Sequence, residues 1–482
     1  MSPSPFHEVP GGDPSRPRLL LVSWHFPPGT SAGALRWEQL AGHAVRRGWE
    51  LDVLTLDPSE LDRRDEDRLE KLPAGTRVFG VRAPEPIEGR LEHALHGIWR
   101  SLRGTGRDVE VEAGRGSGGT PSTESGQSGR PSSLARDETR LRPWSAGDLR
   151  RAFFAWLEIR RGAVWASEAV HLGRRVARPQ TRLVISCGPP HMAHEAGRKL
   201  GKALSVPHVM DLRDPWSQVQ RLPEHFASPL WYTLSERSER RCVSSAALVV
   251  ANTDAARDAL AAKYPLAADR MLAVMNGYDD EPLPGPGQSG APARFLVAHA
   301  GTVYLDRDPR SLFAAVRKVA DVHQAGPDRI GLVFYGCTSD EVRRIAAEEG
   351  VEELLELTPF LPRAELARRL VGCPVLVVLP QDSDMAIPSK VFEYLRYPAW
   401  VLAMAEPDSA TGRALGDTPA AVVGAANVEG LAARLSEWFE AFERGERPPP
   451  AARSAPQLSR RAQADLLFDR LEPYREAASS SS

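Results

Sequence analysis

The chain has 482 residues, 42% of them hydrophobic, with 61 basic against 63 acidic side chains. One hydrophobic core rarely serves more than about 250–300 residues, so two domains are expected. The near-neutral balance argues against a dedicated nucleic-acid binder, which carries a basic excess.

Residues 1–17 are polar and proline-rich, without the apolar core of a signal peptide, and read as a loose tail. Leu19–Ser23 is a short continuous apolar run, the pattern of a strand buried on both faces. The loop HFPPGTSAG follows, then a helical pattern from Ala34 to Arg47, then a second strand over Glu50–Leu56. Strand, helix and strand in this compass make a βαβ unit with parallel strands. Residues 104–133 contain no aromatic side chain and are dominated by Gly, Ser, Thr and Pro, so they read as a disordered insertion. Asp148 to Arg178 is an amphipathic helix mixing Phe153, Phe154, Trp156, Leu157 and Trp165 with many arginines. It faces a core with a solvated basic side, or lies on an anionic membrane surface.

Further strands are expected at Leu183–Ser186, His208–Leu212 and Ala247–Ala251, and a Pro/Gly linker at 282–293. The rhythm then restarts with strands at Phe295–Ala300, Ile330–Tyr335, Leu354–Leu357, Val375–Leu379 and Ala399–Met404. Helical patterns at Ala432–Phe442 and Ser459–Leu471 close the chain. Two doubly wound α/β domains are the simplest architecture. Cys187, Cys242, Cys337 and Cys373 are far apart and fit reduced, buried thiols. No segment reaches the ~18 apolar residues that cross a bilayer, and a cytoplasmic location is expected.

Doubly wound sheets bind ligands at the carboxyl ends of their strands, so the residues after each strand carry the chemistry. Gly33 closes a small-residue turn before a helix, where backbone N–H groups can approach an anion. The GxGxxG of dinucleotide-binding folds is absent. His191 and His194 follow the third strand; they suit surface or capping contacts, hydrogen bonds to sugar hydroxyls, or acid–base work. A metal pair would need a third ligand, and no ligand is near in sequence; no metal and no cofactor are expected. Asp211, Arg213, Asp214 and Trp216 form a strand-end cluster suited to hydroxyls, or an internal ion pair. Gly301, Thr302 and Arg307 make a second strand–glycine–helix turn with a cation for a diphosphate, or a solvated surface arginine. Lys390 and Glu393 stand three apart where a helix opens. Such a lysine can pair with phosphate and such a carboxylate can accept ribose hydroxyls; the plainer alternative is a capping box with a surface ion pair.

Together FPPGTSAG, SCGPPHMAH, DLRDPW, Asn276-Gly277-Tyr278-Asp279, AGTVYLDRDP and IPSKVFEYL resemble family-4-like GT-B glycosyltransferases of bacterial exopolysaccharide and O-antigen assembly, across roughly residues 18–440. The resemblance implies two Rossmann-like domains facing each other across a cleft. Residues 18–281 would form the acceptor domain, 294–440 the donor-nucleotide domain, and 441–475 helices crossing back. It implies metal-independent, anomer-retaining transfer from a nucleoside diphosphate sugar to a hydroxyl of a saccharide, lipid-linked glycan or secondary metabolite. Glu393 would bind the ribose, Lys390 and Gly301–Thr302 the diphosphate, and Gly33 would approach the phosphates from the opposite domain. Lipid-linked acceptors also imply peripheral contact with the inner face of the membrane. The chain departs from the family pattern at Met385, which stands where a first glutamate is usual, and in having Arg307 for an Arg/Lys pair. A GT-B-like sugar-nucleotide epimerase or hydrolase, or a non-catalytic partner subunit, are the competing readings.

Overall fold

A computed structural model describes residues 3–84, 133–135, 146–219, 221–265, 270–283, 294–303, 307–379 and 383–476. The chain divides into two compact units: Met1–Asn252 with Arg257–Ala273 and Leu466–Ser482, and Thr253–Ala256 with Val274–Asp465. Residues 104–132 of the expected disordered insertion, and 284–293 of the expected linker, lie outside the described residues.

In the first unit the order is β1 (His7–Glu8), β2 (Arg18–Ser23), α1 (Ala32–Arg46), β3 (Glu50–Leu56), α2 (Asp67–Glu70), β4 (Arg77–Val81), β5 (Ser133–Ala135) and α3 (Ala146–Val176). Then come β6 (Thr181–Gly188), α4 (Met192–Leu204), β7 (His208–Leu212), β8 (Arg221–Pro223), α5 (Pro229–Ser245), β9 (Leu248–Ala251), α6 (Asp254–Lys263) and β10 (Met271–Ala273). The main sheet runs β1-β4-β3-β2-β6-β7-β9-β10, parallel except for β1 against β4. The order reverses between β2 and β6, which opens a crevice at their carboxyl ends. β5 and β8 form a separate antiparallel pair, so Ser133, the last residue of the expected insertion, is in a strand.

Leu19, Leu20, Leu21 and Val22 of β2 are all fully buried, because helices cover both faces of the sheet. The expected strand at Leu183–Ser186 is longer at both ends. The apolar run stops at Ile185, but Cys187 still pairs with Ser23 and with Asp211. β4 has no counterpart in the sequence reading: it opens on Arg77, and Gly80 breaks its apolar run. Arg77 is buried because Asp52 accepts hydrogen bonds from its Nε at 2.8 Å and its Nη2 at 2.6 Å, while Arg18 binds the same carboxylate. Buried charge is tolerated when paired this way.

α3 is a core-facing helix. Ala155, Leu157, Trp165 and Ala169 are buried, and the Trp165 ring lies 5.0 Å from that of Trp24. Its amino-terminal end differs: Leu149 is 68% and Phe153 41% exposed.

The second unit contains β11 (Phe295–Ala300), α7 (Arg310–Val322), β12 (Ile330–Tyr335), α8 (Asp340–Glu348), β13 (Leu355–Thr358), α9 (Arg363–Val371), β14 (Val375–Val378) and α10 (Ser389–Tyr394). It continues with β15 (Trp400–Met404), α11 (Ala410–Leu415), β16 (Ala421–Val423), α12 (Val428–Glu443) and α13 (Arg460–Glu476), whose last turns belong to the first unit. The sheet order β13-β12-β11-β14-β15-β16 is wholly parallel and reverses between β11 and β14. Alternation along β11 feeds two cores. Phe295 and Val297 pack with Leu312, Phe313, Leu435 and Phe439, and Ala298 and Ala300 pack with Val391, Phe392 and Tyr394. The expected strand Leu354–Leu357 starts one residue later, since Glu352–Leu354 is a 3-10 turn.

Candidate functional site

The sequence-derived residues gather at two places, one at the switch point of each sheet. In the second unit β11 ends in Gly301, at φ +125°, a conformation open to glycine and costly for other residues. Its N–H donates to Tyr335 O at 2.7 Å. A Cβ on Gly301 would lie 2.8 Å from Lys390 Cε, so the lysine chain runs across the turn in the space a side chain would fill. Lys390 comes from α10, which follows β14. The buried Tyr394 fixes that helix, its hydroxyl accepting from Ala300 N at 2.8 Å. Glu393 is half-buried one residue earlier, and Thr302 is exposed at the turn. α10 has only six residues and no side-chain cap, so it forms no capping box, and positive charge here is held by the lysine rather than by a helix dipole.

His299, two residues before Gly301, is buried, and its ring nitrogen Nδ1 donates to Val377 O at 2.9 Å. Burial, then the charges of Lys390 and Arg307, push its pKa down to about 3. The imidazole is therefore neutral, and Arg307 and Lys390 both act on it.

In the first unit Gly33 lies in the first turn of α1, and a Cβ there would come within 2.9 Å of the Arg213 guanidinium carbon. Arg213 follows β7. Its Nη2 donates to Pro189 O at 3.3 Å, while its Nε is buried with no hydrogen-bond partner among the described residues. His191, between β6 and α4, stacks on the buried Trp216 with centroids 5.1 Å apart and planes 17° from parallel. His194 is fully buried behind it, 5.9 Å from the His191 ring. His25, in the loop after β2, shares a hydrogen bond between its Nδ1 and Ser31 Oγ at 3.0 Å. Burial, then Arg213, lowers the pKa of His25 and of His191 to about 3; His194 is lowered too, by burial and then by its histidine neighbours and Arg213. These imidazoles are neutral hydrogen-bonding groups near neutral pH.

The structure thus brings Gly33, His191, His194 and Arg213 together in one unit, and Gly301, Lys390 and Glu393 at the switch point of the other. Asp214 is exposed. Asp211 sits in an internal ion pair: Arg36 donates to it at 3.0 and 2.9 Å and Trp37 Nε1 at 2.8 Å. His25, Ser186, His208, His299 and Tyr394 were not singled out by sequence reasoning. His25 and His299 do stand at the ends of switch-point strands, which is a usable signal. Among the described residues no three His, Cys, Asp or Glu side chains are grouped to hold a metal ion.

Two doubly wound parallel sheets in one chain, each reversing beside its first main strand, define the GT-B fold. Solved structures share it over nearly the whole chain. Anabaena HepE in complex with UDP and glucose matches with a TM-score of 0.57 at 14% identity, over 95% of this chain and 100% of that one. Sucrose-phosphate synthase of Thermosynechococcus elongatus matches with a TM-score of 0.57 at 13% identity, over 97% and 100%. A Listeria monocytogenes protein described as a UDP-N-acetylglucosamine 2-epimerase matches with a TM-score of 0.53 at 12% identity, over 96% and 98%. No protein-family model matches the sequence, nor does any curated protein.

Proposed function

We propose that the protein is a glycosyltransferase of the family-4 kind, moving a sugar from a nucleoside diphosphate sugar to a hydroxyl acceptor. The observation that carries this reading is Lys390 laid across the Gly301 turn at the switch point of the second sheet. A turn bare of side chain lets the lysine lie against the backbone, and its ammonium meets the charge that grows as the diphosphate leaves. Arg307 adds to that charge, and Glu393 holds the ribose. The bond from the anomeric carbon to the leaving phosphate oxygen breaks, the acceptor oxygen bonds to that carbon on the same face, and the acceptor proton passes to the leaving phosphate. This route retains the anomeric configuration and uses no metal and no protein nucleophile. His191, Arg213 and Asp214 hold the acceptor, a saccharide, lipid-linked glycan or secondary metabolite, and the fully buried His194 supports His191 from behind. Two of the similar structures contain UDP with glucose or are named for sucrose phosphate synthesis, which supports a nucleotide-sugar partner.

The reading also places the protein in the cytoplasm, in peripheral contact with the inner face of the membrane through Leu149, Phe153 and the arginines of α3. Co-sedimentation with anionic vesicles at low salt, lost at high salt, is the expected result. The similar Listeria protein described as an epimerase favours a second reading, sugar-nucleotide epimerisation. Incubation with a panel of UDP, GDP, dTDP and ADP sugars separates the two. Transfer gives acceptor-dependent nucleotide release; epimerisation gives a new sugar nucleotide with none released. If no sugar nucleotide is consumed, a non-catalytic subunit is left. Binding of the right nucleotide at 100 times its Kd should stabilise the fold by ~2.7 kcal/mol.

A further inference from the structure

The loop that carries Arg213 and Trp216 out of β7 is tied at both ends to buried carboxylates. At its start Asp211 accepts from Arg36 and from Trp37 Nε1. At its far end the tie runs the other way, from the loop to a carboxylate that the proposed reaction does not use. Ser217 is fully buried, and its N–H and its Oγ both donate to Glu239 of α5, at 2.8 Å each. Glu239 is fully buried as well. Tyr264 Oη donates to it at 2.7 Å. Lys263 Nζ, at the end of α6, donates to it at 3.3 Å and to Ser217 Oγ at 2.6 Å. Gln218 adds a further tie, its Nε2 donating to Ala259 O at 3.2 Å.

The direction of these bonds is fixed by the groups themselves. An ammonium only donates and a carboxylate only accepts, so the one hydroxyl proton of Ser217 goes to Glu239 and a lone pair faces Lys263. The N–H that Glu239 takes belongs to the Trp216–Ser217 peptide, whose carbonyl accepts from Val219 N at 3.4 Å. That peptide is held from both edges, and with it the direction in which the Trp216 side chain leaves the backbone. The ring so directed is the one on which His191 stacks, with planes 17° from parallel. Buried ion pairs add little stability over apolar packing, which leaves the geometry that Glu239 fixes as its contribution.

We propose that Glu239 is a positioning residue for the first unit's site: through Ser217 it holds Trp216 as the wall against which His191 stacks. The inference rests on the reading that His191 and Arg213 hold the acceptor. Glu239 touches no substrate; it acts by keeping the His191 imidazole at a fixed place and tilt in the cluster.

The experiment is 19F NMR on the full chain, free of ligand, with 5-fluorotryptophan at all 11 tryptophans. Trp216 is assigned by its loss in Trp216→Phe. His191→Ala removes the stacked ring and gives the position of an unstacked Trp216 line. Each charge-assisted bond lost should raise the unstacked share of Trp216 about tenfold, so in Ser217→Ala and Glu239→Gln the line should move toward the His191→Ala position. Tyr264→Phe removes a donor to the same carboxylate without touching the loop. It should leave the line in place while lowering melting temperature much as Ser217→Ala does. A line that stays put in Ser217→Ala and Glu239→Gln while melting temperature falls, or that moves equally in Tyr264→Phe, overturns the proposal, as does an unchanged line in His191→Ala. Ser217→Ala leaves Glu239 with its Tyr264 and Lys263 partners and keeps the test decisive should Glu239→Gln fold poorly. The line is read without turnover. A protein that consumes no sugar nucleotide would defeat the transferase reading and leave this result standing, whereas an unmoved Trp216 line would defeat the positioning role alone.

Discussion

Each unit places a glycine after its first main strand and lays a cation from a later element across it, yet the two pairs differ in kind. In the second unit the cation is Lys390, a point charge on a flexible stem beside a turn at positive φ. In the first it is Arg213, a planar fork tied to Pro189 O and surrounded by the neutral rings of His25, His191 and His194. A lysine follows charge as it develops, whereas an arginine among neutral acceptors fixes geometry. On the proposed reading, charge stabilisation falls to the second unit and hydroxyl recognition to the first.

The sharpest way to break that assignment is Lys390→Ala. Loss of one preorganised positive group facing a leaving anion should lower turnover about 10²–10³-fold. Melting temperature should barely move, because Lys390 is only part-buried. A drop in stability with turnover per folded molecule preserved would make Lys390 a structural residue. Glu393→Gln should come next, with donor-dependent efficiency down about 10²-fold as two charge-assisted hydrogen bonds weaken. Its effect should appear in donor binding and leave acceptor KM unchanged.

The histidines give a pH test of the contrast. His208 and His299 have folded pKa values near 3, depressed by burial, against about 6.5 unfolded. Below pH 6.5 the unfolded chain binds protons that the folded chain refuses, so stability falls as pH drops from 6.5 toward 3. At pH 5 each should remove roughly 2 kcal/mol, read from urea unfolding between pH 7 and 5. Replacing both by Gln should make the slope shallower, with His25, His191 and His194 keeping the remainder; an equal slope in that variant would place the acid sensitivity elsewhere. The smallest effect should come from exchanging residues 104–132 for a short Gly/Ser linker. That segment has no aromatic side chain, and stability should stay within about 0.5 kcal/mol with transfer intact. A loss of transfer without unfolding would give the segment a part in acceptor docking.

What could be read from the sequence follows from how local each signal is. β3, β7, β11 and β12 were legible to the residue, because the apolar positions that mark them stop within a residue of the ladder's ends. β4 was not, since Arg77 looks like a surface residue until Asp52 on the neighbouring strand is seen to neutralise it. At the site, Gly301 and Lys390 each stood out as a type of residue in a type of turn. Their meeting is a product of β11 and β14 being neighbours, which no spacing in the chain records. For Asp211 the sequence left hydroxyl binding and an internal ion pair both open for the same reason: its partner Arg36 comes from α1, far back in the sequence. The hydrogen bonds that join the buried Ser186 to His194 and to His208 were invisible for want of any local pattern joining a strand end, a helix and the next strand start.

The way the chain is shared between the units bears on how it can be taken apart. The first unit is not complete at Ala273: residues from Leu466 onward belong to it, including Leu467, Phe468 and Leu471, which are at most 1% exposed. No single cut therefore yields two intact halves. A fragment ending near residue 273 would lack the three apolar side chains of α13, at about 2–5 kcal/mol for each large side chain missing from a packed interior. Complementation by the missing helix supplied as a separate peptide is the practical route to the first unit in isolation. A protease nicking the 284–293 segment would leave both pieces held by the returning helix.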